Sequence, residues 1–536
     1  MMLMHWLSCL CVLQSLPSSL ARDHEQSVLK NDDRKFNPFD SKLAELIKTS
    51  LEEWNVPGIA IGVVDGDETW TEGYGIATLP STPVTPSTLF YGASTTKAFT
   101  AAGMSLLITD NSSKHFPQSW KTPVSSLIHD DFVLQDEWAT NHLTIEDILS
   151  HRTGMPRHDL SYGGTYEGRN STPRDVVRAL RYLPVTEEPR VRWQYCNMMY
   201  VVAGHIIETL SGGSLESFLK EKIWKPLGMK STSFSNSDAK NGPNHFAQGY
   251  VYYNNTYLPV PYEDDLVTSA AAGSIISNVL DYSKWLHALL HTSPPIPKEA
   301  YTELFTPRML QPSNDLPYTG TISYALGWDT STYKGYQFYE HSGGVEAFGS
   351  HVIFFPELGF GVCAFGNTGI TSNVVELIAI WRLIDEKIGV KEEERFDWGA
   401  RFKRLLKERE ANYNSRTSHY YPDIPSPTLP PTLPLSSYSG TYSHPAYRKF
   451  TIVHNPKTNT LHADREDVSW KVSFDFKHVS GDYFMGYMDS KTAPGLVFKQ
   501  AMAAEFTVGS SGKADRLGMA LEEEMGKDGR IWFERV

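Results

Sequence analysis

Three short strings in this chain bring together a hydroxyl, an amine, a phenol and an imidazole: Ser94-Thr95-Thr96-Lys97, Tyr195-Cys196-Asn197 and His341-Ser342-Gly343-Gly344. Ser94 and Lys97 are three residues apart, so on a helix they share one face, one turn from each other. A serine at a helix N-terminus meets unpaired backbone N–H groups and the positive end of the dipole. Both favour the negative charge that develops on an acyl oxygen. Lys97 lies in a stretch rich in apolar residues. Burial there disfavours its charged form and makes the amine available as a base. The Tyr195 hydroxyl can relay a proton, and Asn197 can donate to a substrate carbonyl or hold Lys97 in place. The glycines after His341 let a ligand approach the backbone closely. Gly344 then offers a second oxyanion N–H beside that of Ser94.

No string is informative alone. Ser-x-x-Lys recurs at Ser27, Ser217, Ser237, Ser331 and Ser510, and Tyr-x-Asn recurs at Tyr252 and Tyr253. Only Ser94 follows a glycine-containing approach, Leu89 to Gly92, and opens a long apolar helix. Only Tyr195 stands in a loop entering another such helix. The other Tyr-x-Asn copies enter a hydrophilic turn. His341 is one of 18 histidines, and its context, after the aromatic strand Tyr336 to Tyr339, singles it out.

Periodicity supplies the elements that would position these groups. Ser41 to Trp54 carries a helical stripe of Leu43, Leu46, Ile47 and Leu51. Gly58 to Val64 and Thr69 to Gly75 form a hairpin across Asp65-Gly66-Asp67. Helical patterns follow at Thr96 to Ile108, Ile145 to Leu149, Arg174 to Tyr182, Met198 to Leu210 and Leu215 to Trp224. Strand patterns return at Phe338 to His341, Ser350 to Phe355 and Gly359 to Phe365, before an amphipathic helix over Val374 to Ile388. Both ends thus build a sheet and the middle builds helices. Six prolines from Pro422 to Pro434 mark an extended linker, and Arg401 to Arg409 reads as a solvated helix face. Beyond it, strand patterns such as Lys449 to Val453, Val468 to Phe474 and Leu496 to Lys499 indicate a small all-β barrel.

Composition bounds the rest. A chain of 536 residues exceeds one core. A net charge of -13 argues against nucleic acid as a partner. Trp6 to Leu16 is apolar but too short to span a bilayer, and Ser19-Leu20-Ala21 resembles a leader cleavage site, so the expectation is a secreted chain without a membrane span. Asn111, Asn170 and Asn254 head glycan-acceptor triplets. Cleavage after Ala21 leaves Cys196 and Cys363, for which a disulfide and two buried thiols are both open. Cys196 reads as a small buried filler. His287 and His291 have metal-like spacing, but no third ligand is evident and Pro294-Pro295 follows, so they read as helix-end residues. The expectation is no metal and no cofactor. Gly-x-Ser-x-Gly, the nucleophile elbow of another hydrolase fold, is absent.

The ordered strings resemble the serine β-lactamase, DD-peptidase and esterase superfamily, nearest its class C-like branch. Val56-Pro57-Gly58-Ile59-Ala60, the segment Leu143 to Pro156, and Ala271 to Ser277 carry the resemblance further, from about Phe36 to Gly389. The tail from about Leu435 resembles a lipocalin-like module. The resemblance implies an α+β fold, an antiparallel sheet flanked by helices with an all-helical subdomain, followed by a barrel. Together with the leader and proline signals, it gives a leader at 1–21, a catalytic domain at 22–400, a linker at 401–434 and a β domain at 435–536. It implies Ser94 as acylated nucleophile, Lys97 and Tyr195 as the base system, and Asn197, His341, Ser342, Gly343 and Gly344 as substrate-orienting groups. His341 departs from the Lys of the Lys-Thr-Gly strand usual in β-lactamases, so a permanent cation for a substrate carboxylate is missing. Members with His there resemble esterases, D-amino-acid peptidases and peptide-cyclising thioesterases. The expected function is a secreted, metal-independent serine hydrolase of small-molecule or peptide esters and amides. The alternatives are a transacylase or cyclase, and a binding protein.

Overall fold

The computed structural model describes residues 37–536 apart from 111, 114, 167, 263–266, 313–314, 496–498 and 511. The leader, Asn111 and most of the strand pattern at Leu496 to Lys499 therefore lie outside the described residues.

A nine-stranded antiparallel sheet organises the first part of the chain. In spatial order it runs Met309–Leu310, Ser323–Tyr324, Asp329–Tyr333, Tyr336–Val345, Phe348–Phe355, Phe360–Gly366, Gly58–Asp65, Glu68–Thr78 and Thr82–Pro83. The hairpin across Asp65-Gly66-Asp67 pairs Val64 with Thr69 and Ile59 with Tyr74. On its other edge Gly58–Asp65 pairs with Phe360–Gly366, in the register Ile61↔Ala364. The chain ends of the domain thus meet in mid-sheet, and the helices between them form an insertion.

Gly58–Asp65 lacks the polar alternation of a half-exposed strand because both its faces are covered. Ile59, Ile61 and Val63 join Leu43 and Ile47 of helix Ser41–Glu53 and Ile380 and Trp381 of helix Thr371–Ile388 in one core. Ala60 and Val64 belong to the opposite core, with Phe99, Trp285 and Phe365. The first helix starts where the Asp40 side chain accepts from the Leu43 N–H at 2.7 Å, satisfying one orphan donor of the first turn.

Within the expected linker at 401–434, the helix face read at Arg401 to Arg409 is part of a longer helix. Trp398–Tyr420 is a 23-residue helix, capped at Asp397 and packed against both Thr371–Ile388 and the barrel strand Gln500–Val508. Its polar surface hid its length and its packing: only Trp398 and Tyr420 are buried. The proline-rich segment follows it.

The C-terminal region is a closed eight-stranded barrel from Gly440–His444 to Ile531–Arg535, sealed by Tyr442↔Arg535 and Ser443↔Glu534 pairing. One strand is Val472–Ser480, shifted from the pattern at Val468 to Phe474. Its interior carries packed rings: Phe450 lies 5.1 Å from Phe474 and 5.7 Å from Phe533, centroid to centroid. Among the described residues no helix is long and apolar enough to cross a membrane. Cys196 and Cys363 are both free and buried, so the disulfide left open from sequence does not form.

Candidate active site

Ser94 occupies a short 3-10 turn, Ala93–Thr95, that feeds helix Thr96–Thr109. Ala93 takes φ of 45°, a left-handed conformation unfavourable for a residue with a Cβ. The turn is held from outside: the Ser350 hydroxyl donates to the Gly92 carbonyl at 2.7 Å, and the Gly92 N–H donates to Ile275 O. Gly343 is obligatory here for space. A Cβ at that position would lie 2.2 Å from Ser350 Oγ and 2.4 Å from Gly92 O.

Lys97 Nζ and the Tyr195 hydroxyl each lie 3.0 Å from Ser94 Oγ. The lysine is fully buried and also donates to the Ala272 carbonyl at 2.9 Å. Burial, then the nearby Arg157 guanidinium, holds its amine well below the ordinary lysine value. Burial pushes the Tyr195 phenol up, although its bond to Ser94 opposes the shift. Both groups are therefore favoured uncharged.

Asn197 opens helix Asn197–Ser211, but its amide donates to Asp159 Oδ1 at 3.2 Å. Lys97 donates to Ser94 and Ala272, so of the two roles open to Asn197 the hold on Lys97 is not seen, and its amide bonds Asp159 instead. Asp159 also accepts from Arg157 Nε at 2.7 Å and from the Tyr162 hydroxyl at 2.9 Å.

His341 lies on strand Tyr336–Val345 and is buried. Its Nδ1 is 2.6 Å from Ser342 O, and its Nε2 is 3.0 Å from the Tyr324 hydroxyl. The carbonyl can only accept, so Nδ1 carries the proton and Nε2 accepts from Tyr324. Burial, with Lys97 adding to it, pushes the imidazole down to about 3, so it is uncharged near neutrality. Pairing with Asp329–Tyr333 stops at Glu340. Residues 341–345 thus keep one ladder edge without a strand partner, and Ser342 and Gly344 are exposed along it.

Part of this set borders one cleft of about 580 Å³, with Lys97 and Asn197 set back from its lining. Ser94, Tyr195, His341, Ser342 and Gly344 line it, whereas Gly343 is turned against the Gly92–Ala93 turn. Asn170 and Asn254, the described glycan candidates, are exposed elsewhere.

Several site residues carried no signal of their own. Asp329 lines the cleft, and burial, then Glu340, raises its carboxyl to about 7. His151 packs on Tyr195 with ring centroids 4.3 Å apart and accepts from the Cys196 N–H at 3.1 Å, fixing where the tyrosine enters. It lies in the Leu143–Pro156 segment that the superfamily resemblance singled out without a role. Glu524, from the barrel, also lines the cleft. The barrel is seated by buried contacts: Ser490 donates to Glu346 at 3.0 Å, and Tyr447 donates to Glu522 at 3.0 Å while lying 2.7 Å from His158. Burial raises Glu522 to about 8.

A hydroxyl held between an amine and a phenol, under an open strand edge, is chemistry for acyl groups. Comparisons with known proteins agree with that class. A family profile described as Beta-lactamase matches residues 43–383, and one described as a domain of unknown function (DUF3471) matches residues 425–535. The chain belongs to the beta-lactamase family and is a hydrolase of that family. It is 43% identical over 504 residues to "Unguisins hydrolase ungD'" of Aspergillus campestris (strain IBT 28561), covering 93% of this chain and 92% of that one. It is 40% identical to "Unguisins hydrolase ungD" of Aspergillus violaceofuscus (strain CBS 115571), covering 94% and 92%. Among solved structures, the octameric penicillin-binding protein homologue from Pyrococcus abyssi shares the fold over 92% of this chain and 99% of its own, with a TM-score of 0.58 and 21% identity.

Proposed function

We propose that this chain is a serine hydrolase that cleaves amide or ester bonds through an acyl-enzyme on Ser94. The observation that carries the reading is the pair of 3.0 Å contacts to Ser94 Oγ, from Lys97 and Tyr195, in a cleft open to solvent. Lys97 is the acylation base, because burial favours its neutral amine and disfavours the Tyr195 phenolate. The amine takes the Ser94 proton as Oγ bonds to the substrate carbonyl carbon. The N–H groups of Ser94 and Gly344 hold the resulting oxyanion. Collapse expels the amine or alcohol, which receives the proton through Tyr195. Water then attacks the ester by the same route in reverse and regenerates Ser94.

The two relatives named for unguisins make unguisins the first substrates to assay. Esters and amides with a D-residue on the acyl side come next. An uncharged His341 offers no permanent cation for a substrate carboxylate, so penicillins are poor substrates in this reading. The chain is secreted in the same reading, with Asn170 and Asn254 available for glycans.

Labelling with a fluorophosphonate, followed by peptide mass spectrometry, tests the proposal. The adduct falls on Ser94, and Ser94→Ala abolishes both labelling and turnover. An adduct elsewhere, or a Ser94→Ala variant as active as wild type, sinks it.

A further inference from the structure

The sequence offered His287 and His291 as a pair without a third ligand, and the fold supplies one. His287 lies in the last turn of helix Val279–Leu290, and His291 is its C-cap. That helix packs across Gly58–Asp65 and Phe360–Gly366. Its end therefore reaches the tip of the first hairpin, where Asp67 follows Gly66. Asp67 Oδ1 lies 3.7 Å from His287 Nε2 and 3.7 Å from His291 Nε2. The two imidazoles are 4.2 Å apart, centroid to centroid. One ligand atom from each residue falls within 4.8 Å of the others.

We propose that Asp67, His287 and His291 bind one divalent cation of the borderline class, Zn²⁺, Ni²⁺ or Cu²⁺, which clips the hairpin tip to the helix end. Bonds of about 2.0–2.2 Å in tetrahedral geometry place ligand atoms roughly 3.3–3.6 Å apart, so the Asp67 contacts close by a few tenths of an ångström and the two imidazoles by up to about 0.7 Å each. Two imidazoles and one carboxylate select these ions over Mg²⁺ and Ca²⁺, which take all-oxygen sets. The Gly66 carbonyl accepts from His291 Nε2 at 3.2 Å; a cation on that nitrogen displaces the proton and this bond, and leaves the carbonyl oxygen beside the cluster. Exposure of the three side chains, at 93% for Asp67, 41% for His287 and 37% for His291, leaves the remaining positions to water.

A simple ion-pair role explains the arrangement less well. Exposed pairs contribute little, and here one carboxylate oxygen is shared between two rings tilted 37° to each other. The tip already has other anchors: Lys387 donates to Asp65 at 2.7 Å and the Gly66 N–H donates to Gly359 O at 2.8 Å. Both tie it to the rest of the sheet and to helix Thr371–Ile388; without a cation, the helix that carries the histidines holds it through the exposed His291–Gly66 bond. None of the three residues lines the Ser94 cleft, so the site is separate from the proposed chemistry.

The test uses the full chain, free of any affinity tag and stripped with a chelator. Calorimetric titration with Zn²⁺ finds one site, and titration with Co²⁺ gives a new visible absorption band. His287→Ala and His291→Ala each weaken Zn²⁺ binding by about tenfold or more, and Asp67→Asn weakens it measurably. At a hundredfold excess over Kd, Zn²⁺ raises the unfolding temperature of the wild type by about 3 °C and leaves the double histidine variant unmoved. Metal-free unfolding temperatures of the variants match the wild type, since the side chains are exposed, and Ser94 labelling is unchanged throughout. Absence of stoichiometric uptake, uptake that survives both histidine deletions, or equal competition by Mg²⁺ overturns the proposal.

Discussion

Lys97→Met separates the proposed base from its structural surroundings. Methionine keeps a stem of similar length in the same fully buried slot and removes the amine. General-base catalysis is worth about 10²–10⁴ in rate, so the second-order rate of fluorophosphonate labelling falls by that factor, or about 2.7–5.4 kcal/mol. Stability gives an independent reading. The folded state holds Lys97 well below its ordinary value of 10.5, so below that pH the unfolded chain binds the extra proton. Wild-type stability therefore rises with pH across the window between the two values. The variant lacks this dependence. Its advantage over wild type grows as pH falls through that window, by up to about 1.4 kcal/mol per unit. The lost bond to Ala272 shifts the difference by a constant and leaves its slope alone. Urea unfolding of both proteins at pH 7, 8 and 9 measures it. A difference that stays flat with pH means that Lys97 is charged in the fold, and the base assignment fails.

Three further substitutions probe the cleft. Tyr195→Phe keeps the ring on His151 and removes the hydroxyl, so turnover falls by about 10²–10⁴ while the unfolding free energy changes by about 1 kcal/mol or less; turnover near wild type would remove Tyr195 from the mechanism. Gly343→Ala forces a Cβ to 2.4 Å from the Gly92 carbonyl and costs about 1–3 kcal/mol in thermal unfolding, whereas Gly344→Ala meets nothing nearer than Asn373 Oδ1 at 4.0 Å and stays within about 0.5 kcal/mol. Glu524→Ala changes KM by several-fold and leaves the rate of Ser94 labelling by a small fluorophosphonate unaltered. If a large substrate's KM does not respond, the barrel loop borders the cleft without touching what binds there.

The strand Gly58–Asp65 and the helix after Ser94 were legible because burial imposes period on a chain. An all-apolar β-branched run fits a sheet covered on both faces, and Lys97 in an apolar helix signals a buried amine. Helix Trp398–Tyr420 was not legible as a packed element, because it buries little and its stripe is faint. The seating of His151 under Tyr195 depends on a loop with φ of 56° at His151, which no periodicity encodes. Asp67 was hidden as a partner of His287 and His291 because about 220 residues separate it from them, and only the sheet's covering helix brings them together. The partner of Asn197 was left open for a related reason. Its donor could reach several acceptors, and the side of the helix on which Asp159 lies decided between them.

Gly58–Asp65 completes its pairing only with Phe360–Gly366. During synthesis at about 5–20 residues per second, the first apolar strand waits roughly 15–60 s for its neighbour to emerge. Throughout that interval one of its backbone edges is open and its two greasy faces are only partly clothed. The nascent chain therefore carries a long-lived adhesive segment, and cells that make it well must shield that segment until the ribosome has travelled two-thirds of the message.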